Sequence, residues 1–148
     1  MARPKSYRDL IVWQKAMTLA RHAYVLTNGL PHKEKFGLVS QIRRAAVSVP
    51  SNIAEGHGRL TDLQFRHFLG NARGSLNELE TEVELAADLG YVGRNHVNGF
   101  MNEAAEVARL INALVASIQR SSTANRASSA HSANSANSAN SASKGFRQ

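Results

Sequence analysis

The sequence predicts an all-α fold: an up-down-up-down antiparallel four-helix bundle followed by a disordered C-terminal tail. Three observations carry that expectation. Apolar residues recur at helical spacing in four separate stretches. Gly, Asn and Pro signals separate the stretches at short intervals, and short connections force neighbouring helices to run antiparallel. From Ser121 onward the apolar recurrence stops, and Ser-Ala-Asn repeats at 132–134, 135–137 and 138–140. A segment with almost nothing to bury cannot offset a backbone ordering cost of about 1–2 kcal/mol per residue. The chain therefore divides into a bundle over residues 1–120 and a tail over 121–148.

Ser6, with Asp9 three residues on, introduces the first helix, and Asn28-Gly29-Leu30-Pro31 stops it. Its seam is read as Leu10, Trp13, Met17, Ala20 and Tyr24. The second helix begins near Lys33, carries Leu38, Ile42, Ala45, Val49 and Ile53, and ends at Gly56-His57-Gly58. Pro50 falls inside that pattern, so a kink or short break is expected near residues 47–50. If the helix resumes unrotated, Arg44, Ser48, Ser51 and Glu55 share a polar face. Thr61 and Gln64 form a capping box that opens the third helix, whose seam of Phe65, Leu69, Ala72, Leu76, Leu79, Val83 and Ala86 leads to Gly90. Asn95 is placed as the cap of the fourth, which carries Val97, Met101, Ala104, Ala108, Ile111, Val115 and Ile118 to about Arg120.

Two helices hold more apolar surface than one seam uses. On the first, Val12, Leu19 and Leu26 fall about 180° from the assigned seam, with Ala16 and Ala23 between. On the fourth, Phe100, Val107 and Leu114 make a second row. Surplus apolar surface usually marks an interface, so these six residues are expected to join copies of the chain into a homo-oligomer.

The 148 residues hold no cysteine, which excludes disulfides, thiolate nucleophiles and Cys-ligated metal sites. A net charge of +7 and a pI near 10.4 favour an anionic partner. The charge is segregated: residues 1–75 hold 12 Lys+Arg against 4 acids, for +8, while residues 76–120 hold 3 against 7, for −4. The acidic half of the third helix is expected to pair with Lys33, Lys35, Arg43 and Arg44 on its neighbour. Arg3, Lys5, Arg8, Arg59, Arg66 and Arg120 should meet at one pole of the bundle. Arg43, Arg44, Arg59, Arg66 and Arg73 are the candidate phosphate contacts for an RNA. The aromatic residues are assigned to the core, so no base-stacking platform is expected. No apolar run approaches membrane-spanning length, and a cytoplasmic location without membrane association is expected.

Catalytic patterns are missing. No Glu-x-x-His pair or His-Glu-x-x-His run exists, and the six histidines read as structural or solvated. Gly56-His57-Gly58-Arg59 lacks the Gly-Lys-Ser/Thr ending of a phosphate loop. Neither Arg59–His67 nor Arg94–His96 has the spacing by which helical ribonucleases aim both groups at one phosphodiester. No enzymatic activity and no cofactor or metal is expected.

The stretch Phe36-Gly37-Leu38-Val39-Ser40-Gln41-Ile42-Arg43-Arg44-Ala45-Ala46-Val47-Ser48-Val49-Pro50-Ser51-Asn52-Ile53-Ala54-Glu55-Gly56 resembles the signature of bacterial four-helix-bundle proteins encoded in 23S rRNA intervening sequences, also labelled S23 ribosomal proteins. Asp9-Leu10-Ile11-Val12-Trp13-Gln14-Lys15-Ala16 is similar to their first helix, and residues 65–81 to their third. The resemblance covers residues 5–120 and leaves out the tail. It implies a homo-oligomer, a ring of five as in the related accessory proteins of diversity-generating retroelements, which work with a reverse transcriptase and its RNA. It brings no catalytic residues. An RNA-binding oligomer is the leading expectation, and a protein-interaction scaffold with no nucleic-acid role is the alternative.

Overall fold

A computed structural model describes residues 3–142. Its four helices are α1 (Ile11–Thr27), α2 (Leu38–His57), α3 (Asp62–Asp88) and α4 (Arg94–Ala142), with single 3-10 turns at Tyr7–Asp9 and His32–Glu34. Each helix packs on the next and α4 returns to α1, whereas the backbones of the diagonal pairs stay apart. Among the described residues there is no strand. This is the expected up-down-up-down bundle.

Local chemistry explains where the helices start and stop. Ser6 Oγ accepts from Arg8 N at 3.2 Å, so its cap serves the 3-10 turn and α1 follows from Ile11. The Glu34 carboxylate accepts from Leu38 N at 3.1 Å, placing negative charge at the N-terminus of α2. Thr61 Oγ1 accepts from Gln64 N at 3.2 Å and opens α3 as the sequence predicts. α3 ends in a Schellman motif, with Gly90 at φ 79, Tyr91 N donating to Ala86 O and Gly90 N to Ala87 O, both at 2.9 Å. α4 begins at Arg94, so Asn95 lies inside its first turn and is not the cap.

The seams read for α2 and α3 are buried in full. No break occurs at Pro50: α2 runs unbroken from Leu38 to His57 with Pro50 inside it. An interior proline costs about 3 kcal/mol. Burying Val49, Pro50 and Ile53 offsets that, at roughly 1.5–3 kcal/mol for each large apolar side chain.

α1 is turned relative to the expectation. Its buried face is Val12, Ala16, Leu19, Ala20, Ala23 and Thr27, while Trp13 and Met17 are half-buried and Tyr24 is exposed. With α1 so turned Val12 and Leu19 are interior to one protomer, as are Phe100 and Val107 of α4; these four of the six expected interface residues are 1–5% exposed, and Leu26 and Leu114 pack half-buried against the same core. The alanines explain the choice. Ala16 and Ala23 beside Val12 and Leu19 let neighbouring helices approach closely, whereas Trp and Tyr tolerate a wet edge.

Past the bundle, α4 continues helically to Ala142, where the sequence predicts an irregular tail. Every residue from 123 to 139 is exposed, so the segment stands apart from the core as its composition requires. Alanine favours helix, and Thr123, Ser129 and Ser135 hydroxyls return to carbonyls three or four residues back. Residues 143–148 lie outside the described residues.

Candidate nucleic-acid interface

The antiparallel topology gathers the N-terminal arm, the α2–α3 turn and the bundle end of α4 around Asp62. One guanidinium nitrogen of Arg3 donates to the Arg59 and His57 carbonyls at 2.6 and 3.2 Å, and the other to Asp62 Oδ1 at 2.9 Å. The Arg3 guanidinium also lies 4.7 Å from the centre of the Phe65 ring. Ser122 Oγ donates to Asp62 Oδ2 at 3.2 Å, bringing in α4. Arg3 thus acts as a clasp for the arm, and its donors are turned inward.

The five candidate arginines separate into two groups. Arg43 donates from Nε to Thr27 Oγ1 at 2.9 Å and from Nη2 to Asn28 Oδ1 at 3.0 Å, and it stacks 4.6 Å from the Tyr24 ring centre. It closes the C-terminal end of α1, where the helix dipole favours a cation. Arg59 pairs with Glu55 at 2.6 Å and covers the Phe68 ring at 4.6 Å. Among the described residues Arg44, Arg66 and Arg73 have no hydrogen-bond, ion-pair or ring partner. Arg66 and Arg73 line one open groove of about 770 Å³ between α3 and α4, with Gln64, His67, Asn112 and Gln119 at the polar edge and Leu69, Ile111 and Val115 at the floor. Seven residues on one helix separate the two arginines by about 10.5 Å along its axis. Arg44 lies outside this groove.

The acids of α3 find a different partner from those expected. Arg94, at the start of α4, reaches Glu84 at 2.7 Å and Asp88 at 3.9 Å. Lys33 and Lys35 lie over the Tyr91 and Phe36 rings instead, and Arg44 pairs with no acid. Two acids have pKa values pushed upward. Burial raises Glu80, and burial followed by the charge and hydrogen bond of Glu78 raises Glu82 to about 7.

A second groove, of about 660 Å³, lies between the end of α1 and the start of α4. There His22 Nδ1 meets Glu103 Oε2 at 2.6 Å, and His96 and Asn95 share the rim. Its walls include no Ser, Thr, Lys or Cys that the histidine could activate. Among the described residues no three His, Asp or Glu side chains converge as a metal site, and no helix is long and apolar enough to cross a membrane.

The sequence missed a third groove, of about 580 Å³, between α1 and α2. It is lined by Tyr7, Trp13, Met17, Tyr24 and Arg21 on one side and by Val47 and Pro50 on the other. The sequence places Trp13 and Tyr24 in the core because they recur at seam spacing. The signal that could have placed them outward is the pair of small residues on the opposite flank, Ala16 and Ala23, which suits close helix packing.

Comparison with curated proteins finds no match. Among solved structures the chain is similar to a protein of unknown function from the S23 ribosomal protein family of Bacteroides thetaiotaomicron VPI-5482, at 25% identity and a TM-score of 0.66, covering 71% of this chain and 98% of that one. Residues 8–113 match the family described as 23S rRNA-intervening sequence protein, a span that takes in the α2 signature, both apolar seams flanking it and all five candidate arginines. With bundle topology and matched span in agreement, the chain belongs to the 23S rRNA-intervening sequence protein family.

Proposed function

We propose that this chain is a non-enzymatic helical bundle that assembles with copies of itself and binds RNA through basic side chains, acting in the cytoplasm. The carrying observation is the α3–α4 groove, where Arg66 and Arg73 stand without a partner among the described residues and no acid joins the lining. Two guanidinium groups fixed on one rigid helix favour a polyanion with repeating phosphates. The ring of five rests on the family resemblance alone. Exposed Phe36, Leu60, Leu85 and Leu89 supply apolar surface for self-assembly in place of Val12, Leu19, Phe100 and Val107, which the protomer buries.

The test is RNA binding across a salt series. Affinity should fall steeply with salt, and Arg66→Ala and Arg73→Ala should each reduce the slope of log affinity against log salt by about one. No binding at low salt overturns the reading. A second reading, an interaction scaffold without nucleic acid, is favoured by Leu60 and Leu63, which are 96% and 72% exposed beside Arg59 and Arg66. It predicts a protein partner whose binding is lost in Leu60→Ser and Leu63→Ser and is little affected by salt.

A further inference from the structure

The α1–α2 groove combines features that the α3–α4 groove lacks. Its floor is aromatic and apolar: Tyr7 and Trp13 meet edge to face with ring centres 5.2 Å apart, and Met17, Tyr24, Val47 and Pro50 continue the surface. Cations are interleaved with the rings. Beside the lining, the Arg8 guanidinium lies 4.7 Å from the centre of Tyr7 and Arg43 lies 4.6 Å from Tyr24, while Arg21 lines the groove itself, its partner among the described residues being the Thr18 hydroxyl at 3.0 Å. No acid stands between Asp9 and Glu34 or between Glu34 and Glu55, so α1 contributes none to the groove and α2 none before its last turn.

From this combination we infer that the α1–α2 groove is a binding site for a single-stranded polynucleotide, with bases stacked on Trp13 and Tyr24 and phosphates held by Arg8 and Arg21. The inference rests on the RNA reading above and adds a second site and a strandedness. Stacking on aromatic side chains accepts any base, and a surrounding positive charge tracks the backbone. Trp13 and Tyr24 are eleven residues apart on one helix, about 16 Å, the length of four or five stacked nucleotides at about 3.4 Å each. A duplex keeps its bases paired inside and offers no face to these rings. A second copy of the chain fits less well, because a two-fold contact through this groove opposes arginine to arginine.

Trp13 is the one tryptophan of the chain and sits half-buried in the groove, so its fluorescence reports occupancy directly. The full-length protein is titrated with a twelve-nucleotide uridine-rich RNA, its DNA counterpart and a duplex of equal length. The single strands should quench Trp13 and the duplex should not, with affinity reduced roughly tenfold by Tyr24→Ala and by Arg21→Ala. Equal quenching by the duplex overturns the inference. So does RNA binding that leaves Trp13 unchanged and is indifferent to both substitutions, an outcome under which the α3–α4 reading stands. Absence of any binding at low salt removes both readings. A concentration-dependent change in Trp13 emission without RNA, matched by a rise in mass in light scattering, assigns the groove to another copy and also overturns it.

Discussion

Gly56 of α2 and Phe68 of α3 mark a close approach between the two helices: a Cβ built on Gly56 would lie 2.7 Å from Phe68 Cβ and 2.9 Å from Phe65 Cδ2. Phe68 Cβ is fixed to its backbone, so relief requires the helices to move apart. Overpacking of this kind costs about 1–3 kcal/mol, more than the roughly 1 kcal/mol that alanine gains over glycine in a helix. Gly56→Ala should therefore lower the thermal midpoint by several degrees. Gly74→Ala, where nothing lies within 4 Å of the added Cβ, should raise it by a degree or more. Circular dichroism melts of the two variants check the contrast.

Leu19 was expected at an interface between copies and is 1% exposed within one protomer. Leu19→Ala should cost about 2–5 kcal/mol through lost burial and a residual cavity. It should leave the subunit number unchanged at concentrations where the variant is folded. Denaturant unfolding alongside light scattering separates the two effects. A variant of normal stability and altered mass would return Leu19 to the interface.

The helices were legible because their seams and stops agree: Phe65 to Ala86 on α3 and Leu38 to Ile53 on α2 are buried as read, and Gly90 closes α3 with the positive φ that its glycine allows. The orientation of α1 was not, since both of its faces are apolar and periodicity alone does not choose between them. The choice is made by what the neighbours can accommodate, and Ala16 and Ala23 pack closely where Trp13 and Tyr24 would hold helices apart. That rotation hid the α1–α2 groove and moved Val12 and Leu19 inside. The candidate arginines divide for a different reason. Arg43 and Arg66 look alike in sequence, and only the fold shows that Thr27 and Asn28 occupy the donors of the first.

The extension of α4 is exposed from Thr123 to residue 139, and the Ser122 hydroxyl ties its start to the bundle through Asp62. Removing residues 125–148 should shift the thermal midpoint by less than about 2 °C. The same deletion should lower the helical circular dichroism by less than a rigid helix to Ala142 requires, because an unpacked helix of this composition is marginal in water. Removing Ser122 as well should cost measurable stability.

Glu82 gives the bundle a dependence on pH opposite to that of a salt-bridged carboxylate. It is 7% exposed and lies two turns beyond Ser75, whose hydroxyl meets Ser48 of α2 at 2.8 Å, so it shares the side of α3 that faces α2. One of its oxygens, Oε2, is buried without a partner. Burial, then the neighbouring Glu78, raise its pKa from 4.5 to about 7. A raised acid favours the protonated folded state, so its contribution is complete below pH 4.5 and is lost as pH climbs through about 7. The full loss is on the order of 3 kcal/mol, at about 1.4 kcal/mol per pKa unit. Glu82→Gln, which keeps the shape without the charge, should flatten this stretch of the stability profile and leave the variant more stable than the parent at pH 8. Glu78→Gln should do so in part by lowering the pKa of Glu82. Urea midpoints measured from pH 4 to 8 decide it: a parent whose stability rises across that range would show that Glu82 is ionised and satisfied in the folded state.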